Sequence, residues 1–175
     1  LIVTLAFFLS PFLSPFKYKS KFSRIEWAFS GLYRCLMPKD LLVKYRGCIF
    51  LARRGEEDIL LLSSVSEPYA FELFNPQEGD VVLDIGAHVG KYAIPSAKLV
   101  EETGCVIAFE PLPKHYQALK KKLALNNLSN LIPLNIAASS ENTTMWMVGH
   151  SLRPCPDPHS PKGCVPVKVA TVDSV

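Results

Sequence analysis

The sequence predicts an α/β domain built around a parallel β-sheet, and two features of the chain predict it. Short, continuous apolar runs at Val81–Ile85, Cys105–Phe109 and 131–136 are typical of strands that are buried on both faces. Segments 90–101 and 114–126 separate these runs and carry apolar residues at helical spacing. Strand and helix therefore alternate, which is the pattern of βαβ units and of a parallel sheet.

Length and composition indicate one folded domain. The 175 residues are 49% apolar and 20% charged, values that suit a globular protein and argue against disorder. The formal net charge of +3 is mild, so we expect no nucleic acid partner. Five scattered cysteines do not form a disulfide framework, and we expect a reducing, cytoplasmic location. The alternative is a disulfide between Cys155 and Cys164, which we expect only if the domain lies outside the cell.

The N-terminal segment 1–20 is a candidate membrane anchor. Residues 1–16 are almost wholly apolar, but this stretch is shorter than the roughly 20 residues that a spanning helix needs. Basic residues follow at once, as they do on the cytoplasmic side of an anchor, although a secretory signal or a helix packed on the domain fits as well. The chain begins with Leu1 rather than methionine and stops within an apolar pattern at 171–175, which predicts a fragment.

Residues 21–78 are predicted to form an N-terminal extension of helix and β-hairpin. Apolar residues at helical spacing, two apolar runs that flank a glycine, and a short aliphatic run predict its elements. The predicted bounds are 22–36 for a helix, 42–46 and 48–51 for the hairpin strands, 59–62 for a short strand and 68–74 for a second helix.

Residues 79–175 are predicted to form the cofactor-binding domain. Beyond the βαβαβ pattern, segments Thr143–Val148 and 165–172 alternate apolar and polar residues, which predicts two antiparallel strands. Within the helix predicted at 114–126, we expect the three consecutive lysines 120–122 to form a solvated face.

The turn after the first apolar strand carries the motif with the most chemical information. Its pattern is Asp84-x-Gly86-x-x-x-Gly90, not the G-x-G-x-x-G that places a pyrophosphate at a helix N-terminus. S-Adenosylmethionine carries no phosphate. An acidic side chain at the strand end can meet its cationic end, while backbone groups meet its carboxylate. Glu110 ends the second strand, where a carboxylate can accept hydrogen bonds from both ribose hydroxyls.

These motifs resemble those of the FkbM-type S-adenosylmethionine-dependent methyltransferases. The resemblance extends over 67–175 and is carried by five stretches. They are 79–90 at the first strand and turn, 108–113 at the second strand, 119–130 at the second helix and its asparagine-containing turn, Ala137–Ala138 at the third strand end, and 171–173.

The resemblance implies a Rossmann-like class I methyltransferase sheet, truncated here to strand order 3-2-1. It also implies methyl transfer to a hydroxyl oxygen of a sugar, a lipid-linked compound or another small molecule, with a catalytic base that the sequence does not identify. The resemblance further implies that the turn with Asp84, Gly86 and Gly90 holds the methionine end of the cofactor. It implies that Glu110 holds the ribose and that Asn135 and Ala137 lie near the adenine. The predicted cofactor-binding residues are Asp84, Gly86, Ala87, His88, Gly90, Glu110, Asn135 and Ala137.

Three alternatives remain open at the level of sequence. An NAD(P)-dependent oxidoreductase is disfavoured by the glycine spacing. A non-catalytic, membrane-associated domain could keep the same fold. A zinc site at Cys155, His159 and Cys164, with His150 nearby, has no standard ligand spacing, so we expect no metal. The side chain of His88, where the family often has asparagine, either contacts the cofactor or stabilises its turn.

Overall fold

The computed structural model describes residues 39–56, 58–63, 73–148, 151–153 and 164–175, and the chain divides into two units near residue 76. Several predicted features lie outside the described residues. They are the apolar segment 1–20, the helix at 22–36, most of the helix at 68–74, and the loop with His150, Cys155 and His159.

The N-terminal unit contains the predicted β-hairpin. Strands β1 (Leu41–Tyr45) and β2 (Cys48–Ala52) pair antiparallel, with Tyr45 opposite Cys48. The two turn residues, Arg46 and Gly47, both have positive φ, at 46° and 75°. Two such residues form the tight turn whose twist matches that of paired strands, which explains why a glycine is found there.

The strand predicted at 59–62 is wrong, because this segment is the helix α1 (Asp58–Ser63). A short aliphatic run fits a buried strand and a buried helix equally well, so periodicity alone does not separate them. The fully buried Asp58 carboxylate accepts hydrogen bonds from the backbone N–H of Arg53, at 3.1 Å, and from its guanidinium, at 2.9 and 2.7 Å. These contacts turn the chain back after β2 and place an acidic side chain in the first helical turn.

The second unit is built on the predicted parallel sheet. Strands β3 (Val81–Ile85), β4 (Cys105–Phe109) and β5 (Leu131–Leu134) pair in parallel in the order β3-β4-β5, which confirms the predicted 3-2-1 arrangement. Ile85 lies opposite Phe109 and Phe109 opposite Leu134, so the three carboxyl ends are level. Among the residues that the structure describes, β3 and β5 are the two edges of this sheet.

Two helices connect the parallel strands. Helix α2 (Ala93–Val100) is shorter than predicted, and α3 (Pro113–Leu125) runs close to its predicted bounds. Their apolar side chains are buried with those of the strands; Ile94, Val100 and Leu119 are fully buried. The three lysines of α3 do not share one solvated face, because the side chain of Lys122 is fully buried.

A second sheet follows the parallel one in sequence. Strands β6 (Ala137–Ala138), β7 (Thr143–Val148), β8 (Ser151–Arg153) and β9 (Val165–Ala170) form it in the order β6-β9-β7-β8. The antiparallel pairing of β7 with β9 confirms the prediction from alternation. Ala137, Val167 and Val169 form a small buried cluster beneath Met145 and Met147. A short 3-10 helix, Val172–Ser174, ends the chain.

Within the described residues we find no helix with the length and hydropathy of a membrane-spanning segment.

Candidate cofactor site

The level carboxyl ends of β3, β4 and β5 gather three of the predicted polar side chains. Asp84 lies in β3 opposite Ala108, one residue before the strand ends. Glu110 follows β4 directly, and Asn135 follows β5 directly. Because parallel strands in register end at the same edge of the sheet, side chains far apart in sequence are neighbours here, and this edge is where ligands of open α/β sheets bind.

Asp84 is a buried carboxylate with incomplete hydrogen bonding. Its side chain is 3% exposed, and it accepts a hydrogen bond from the backbone N–H of Ala93 at the start of α2. Its Oδ2 atom has no hydrogen-bond partner among the described residues. Burial, opposed by the Ala93 hydrogen bond and assisted by the negative charge of Glu110, raises the pKa of Asp84 to about 7.

Glu110 is also buried, but both of its carboxylate oxygens have donors. Oε2 accepts the backbone N–H of His88 at 2.7 Å, and Oε1 accepts the backbone N–H of Leu112 at 2.8 Å. One donor belongs to the turn after β3 and the other to the turn after β4. The carboxylate therefore joins the two turns and is held in a fixed orientation.

The turn after β3 uses its own amides to close against β4. The N–H groups of Gly86 and Ala87 both donate to the carbonyl oxygen of Phe109, at 2.9 Å each, and that of Gly90 donates to Ala87 at 2.7 Å. His88 has φ of 52°, a left-handed conformation that histidine and asparagine tolerate better than most residues. The amides of Gly86, Ala87, His88 and Gly90 are thus committed to contacts within the protein.

Asn135 ties the end of β5 to the turn after β4. Its side-chain amide donates to the carbonyl oxygens of Glu110, at 2.8 Å, and of Pro111, at 3.0 Å. These contacts explain why β5 ends at Leu134 rather than at 136 as predicted. They also fix the backbone from which the Glu110 side chain projects.

Gly90 and Ala137 lie in different surroundings from the other predicted residues. A Cβ atom at Gly90 would stand 2.6 Å from Leu119 Cδ1 and 3.0 Å from Ile94, so this position packs against α3 and α2. Ala137 is 4% exposed and belongs to the apolar cluster of the second sheet. Among the other predicted residues, His88 and Asn135 bond directly to Glu110, whereas Gly86 and Ala87 bond to Phe109 beside it and Asp84 bonds to Ala93.

Sequence reasoning missed His115. This residue lies in the first turn of α3, and its Nδ1 atom is 3.7 Å from Glu110 Oε1. Its ring meets that of His88, with centroids 3.7 Å apart and planes at 44°. The only signal in the sequence is a histidine five residues after Glu110, across a turn short enough to bring it back.

The parallel sheet with buried acids at two adjacent strand ends defines a Rossmann-like domain of the class I methyltransferase type. The model of the methyltransferase FkbM domain matches residues 84–175, more than half of the chain. The chain therefore belongs to the FkbM methyltransferase-domain family, as the sequence predicted. This membership supports S-adenosylmethionine as the cofactor.

Solved structures that are similar to this chain include the following three. TYW2 from M. jannaschii, in complex with AdoMet, is 29% identical over 56% of this chain and 43% of that chain, with a TM-score of 0.44. A SAM-dependent methyltransferase from Aquifex aeolicus is 27% identical over 49% of this chain and 47% of that chain, with a TM-score of 0.39. P. horikoshii TYW2 in complex with MeSAdo is 14% identical over 68% and 50%, with a TM-score of 0.47.

The chain spans half or less of the length of each of these three structures. A comparison with curated proteins found no significant match.

Proposed function

We propose that the protein is an S-adenosylmethionine-dependent methyltransferase that binds its cofactor across the carboxyl ends of β3, β4 and β5. The observation that carries this proposal is the pair of buried carboxylates, Asp84 and Glu110, at the ends of two adjacent parallel strands. A ligand with a cationic end and a ribose diol suits this pair, and S-adenosylmethionine has both.

Asp84 fits the cationic end of the cofactor. Its Oδ2 atom is buried and has no donor within the described residues, which is costly unless a ligand supplies one. The ammonium group of the methionine end is such a donor and also compensates the charge that burial disfavours. We therefore assign Asp84 to the methionine end, directly or through a water molecule.

Glu110 fits the ribose. Each carboxylate oxygen accepts one backbone N–H, and a carboxylate has about four acceptor positions in all. Two positions remain for the ribose hydroxyls. Because the two amides already hold the carboxylate, little ordering is needed when the ribose binds, which favours affinity.

The remaining predicted residues have supporting roles in this proposal. Gly86, Ala87 and His88 form the turn that faces the cofactor, and Asn135 fixes the backbone next to the adenine side. Gly90 contributes by allowing the turn to pack on α3, and Ala137 by starting the second sheet. S-Adenosylmethionine, when bound, supplies an electrophilic methyl group on its sulfonium.

We further propose that the acceptor is a hydroxyl group of a sugar, a lipid-linked compound or another small molecule, with no nucleic acid partner. The resemblance to FkbM-type enzymes and the mild net charge of +3 support this assignment. The cytoplasmic location, the anchoring role of residues 1–16 and the division into 1–20, 21–78 and 79–175 belong to the same proposal.

Isothermal titration of the full-length protein with S-adenosylhomocysteine and, separately, with NAD tests the cofactor. We expect micromolar binding of the former and none of the latter; binding of NAD alone would overturn the proposal. Transfer of a labelled methyl group to sugar nucleotides, lipid-linked saccharides or small alcohols tests the acceptor. Labelling of tRNA or rRNA in the same assay would show that the acceptor class is wrong.

A further inference from the structure

Two histidines from separate turns meet beside the Glu110 carboxylate. His88 reaches it from the turn after β3 through its backbone N–H, and His115 approaches the other carboxylate oxygen from the first turn of α3. Their rings are in contact, with centroids 3.7 Å apart. The two histidines and the carboxylate form one cluster, which we call the Glu110 cluster.

The surroundings of His115 differ from those of an ordinary residue on a helix surface. Its side chain is 12% exposed, and its Nδ1 atom is buried without a hydrogen bond among the described residues. The 3.7 Å between Nδ1 and Glu110 Oε1 is slightly longer than a hydrogen bond. At this distance Nδ1 borders the carboxylate without taking one of its acceptor positions.

The position of His115 is fixed from two sides. The turn from Glu110 to α3 is closed by the backbone N–H of His115, which donates to the carbonyl oxygen of Leu112 at 3.0 Å. On the other side, the His88 ring limits the rotation of the His115 ring. The imidazole therefore cannot turn far from the carboxylate without breaking the packing of the cluster.

We infer that His115 is a positioning residue for Glu110, which it holds through Nδ1 in the orientation that receives the ribose diol. A glutamate carboxylate rotates broadly about its last side-chain bond unless its neighbours fix it. The two amides and the imidazole restrict that rotation from three directions. The imidazole makes no hydrogen bond to the carboxylate, so the two remaining acceptor positions stay directed towards the ligand. Partners that orient a ligand-binding group in this way contribute strongly to affinity. The inference rests on the proposed function, because it requires a ribose at Glu110.

The test compares three variants of the full-length protein with two probes in isothermal titration. The variants are His115→Ala, His115→Asn and His115→Gln. The probes are S-adenosylhomocysteine and its analogue without the two ribose hydroxyls. The asparagine amide nitrogen occupies the same place along the side chain as Nδ1, whereas the glutamine amide is one bond further out.

For S-adenosylhomocysteine we expect His115→Ala and His115→Gln to weaken binding about 5- to 20-fold, the scale of a lost contact to a charged group. His115→Asn should stay within about twofold of the wild type, because its amide replaces the Nδ1 donor. For the analogue without hydroxyls, all three variants should bind like the wild type.

The outcomes separate this inference from the proposed function. If the wild type does not bind S-adenosylhomocysteine, both are wrong. If the wild type binds it and His115→Ala binds it equally well, only the positioning role is wrong. Equal losses for both probes would show a merely structural role and would also overturn the inference. If His115→Ala lacks a cooperative melt, the asparagine and glutamine variants decide, and equal affinities for these two would overturn it.

Discussion

The carboxyl ends of β3 and β4 each bury a carboxylate, but the two ends are prepared differently. At the end of β4, each Glu110 oxygen accepts a backbone N–H, and a histidine lies beside them. In β3, Asp84 accepts one backbone N–H and keeps one oxygen without a partner in the described structure. The two side chains are close enough for the charge of Glu110 to raise the pKa of Asp84.

This difference indicates how the site divides its work. The Glu110 end is preorganised by two backbone amides, so in the proposed function a neutral ribose binds there without much rearrangement. In the proposed function the ligand completes the Asp84 end, because Oδ2 has no donor among the described residues. In the free protein a bound proton neutralises the Asp84 carboxylate below a pH of about 7. Preorganisation for the neutral part and charge compensation for the cationic part together suit the proposed cofactor.

The largest effect is expected at Gly90, which packs the turn between the two ends onto α3. In Gly90→Ala, a Cβ would lie 2.6 Å from Leu119 Cδ1, in a fully buried side chain, and the residue would keep φ near 85°. Overpacking and left-handed strain together should lower the free energy of unfolding by about 2–4 kcal/mol. Urea denaturation measures this change.

Gly79 provides a matched control in the same unit. Its φ is 83°, but a Cβ there would meet only Thr103 Oγ1, at an ordinary 3.8 Å. Gly79→Ala should therefore show the backbone strain alone, about 1 kcal/mol. Equal losses in the two variants would mean that packing against Leu119 does not determine the need for Gly90.

The second prediction exchanges the carboxylates for amides at pH 8. Glu110→Gln should destabilise the free protein by about 1 kcal/mol, because the two backbone amides lose a charged acceptor. Asp84→Asn should instead stabilise it by a similar amount, because an ionised, incompletely bonded carboxylate is removed from the interior. Thermal melts of the cofactor-free proteins measure both changes.

Both exchanges should weaken binding of S-adenosylhomocysteine, and Glu110→Ala by about 1–3 kcal/mol. Glu110→Gln and Asp84→Asn should therefore change the stability of the free protein in opposite directions, but both should lower its affinity for the cofactor. If both variants destabilise the free protein, the Asp84 carboxylate has a further hydrogen-bond partner in solution. Unchanged affinity in Glu110→Ala would remove its ribose role.

Much of the parallel unit could be predicted from sequence, because its strands are buried on both faces and its turn carries a specific glycine and aspartate pattern. The places of Asp84 and Glu110 at the carboxyl edge of the sheet could be predicted as well, and their roles in binding the cofactor stay predictions. The strand predicted at 59–62 failed because the Arg53–Asp58 contacts, which are tertiary, decide between strand and helix. The burial of Lys122 was also missed, because burial of a helix position depends on tertiary packing that the run of three lysines does not reveal.

The positions of His115 and Asn135 could not be read from periodicity. Each depends on where a side chain reaches after the strands have aligned: His115 to the Glu110 carboxylate, and Asn135 to the carbonyl oxygens behind it. His115 is 5 residues and Asn135 is 25 residues after Glu110 in the sequence. Sequence pattern predicts the edge of the sheet, and the structure shows which residues meet there.

The third prediction concerns pH. Because burial raises the pKa of Asp84 to about 7, the free protein binds a proton below that pH, and a cationic ligand displaces it. Affinity for S-adenosylhomocysteine should therefore rise with pH, by up to about tenfold per unit below pH 7, and level off above it. Titrations between pH 5.5 and 8 measure this slope.

Asp84→Asn is the control for the pH dependence, since it has no proton to release. Its affinity should be lower but nearly flat over the same range. The pH slope should also persist in His115→Asn, which removes one nearby titratable ring. A slope that survives in Asp84→Asn would place the titrating group elsewhere and would contradict the assigned role of the β3 end.

The smallest effect on cofactor affinity is expected from two asparagines that flank β5. At the carboxyl end, Asn135 donates to the carbonyl oxygens of Glu110 and Pro111. At the amino end, Asn130 donates to those of Ala97 and Glu101. Each side chain thus makes two bonds to backbone carbonyls, and only the first pair lies behind the Glu110 carboxylate.

Asn135→Ala and Asn130→Ala should each lower the free energy of unfolding by about 1–2 kcal/mol, the value of two such hydrogen bonds. Their effects on the cofactor should differ, because only Asn135 fixes the backbone from which Glu110 projects. Asn135→Ala should weaken binding of S-adenosylhomocysteine about two- to fivefold, while Asn130→Ala should leave it unchanged. Urea denaturation and isothermal titration on the same preparations measure both quantities. If the two variants lose affinity equally, binding follows the general stability of the unit, and the orientation of the β4 end is not the determining factor.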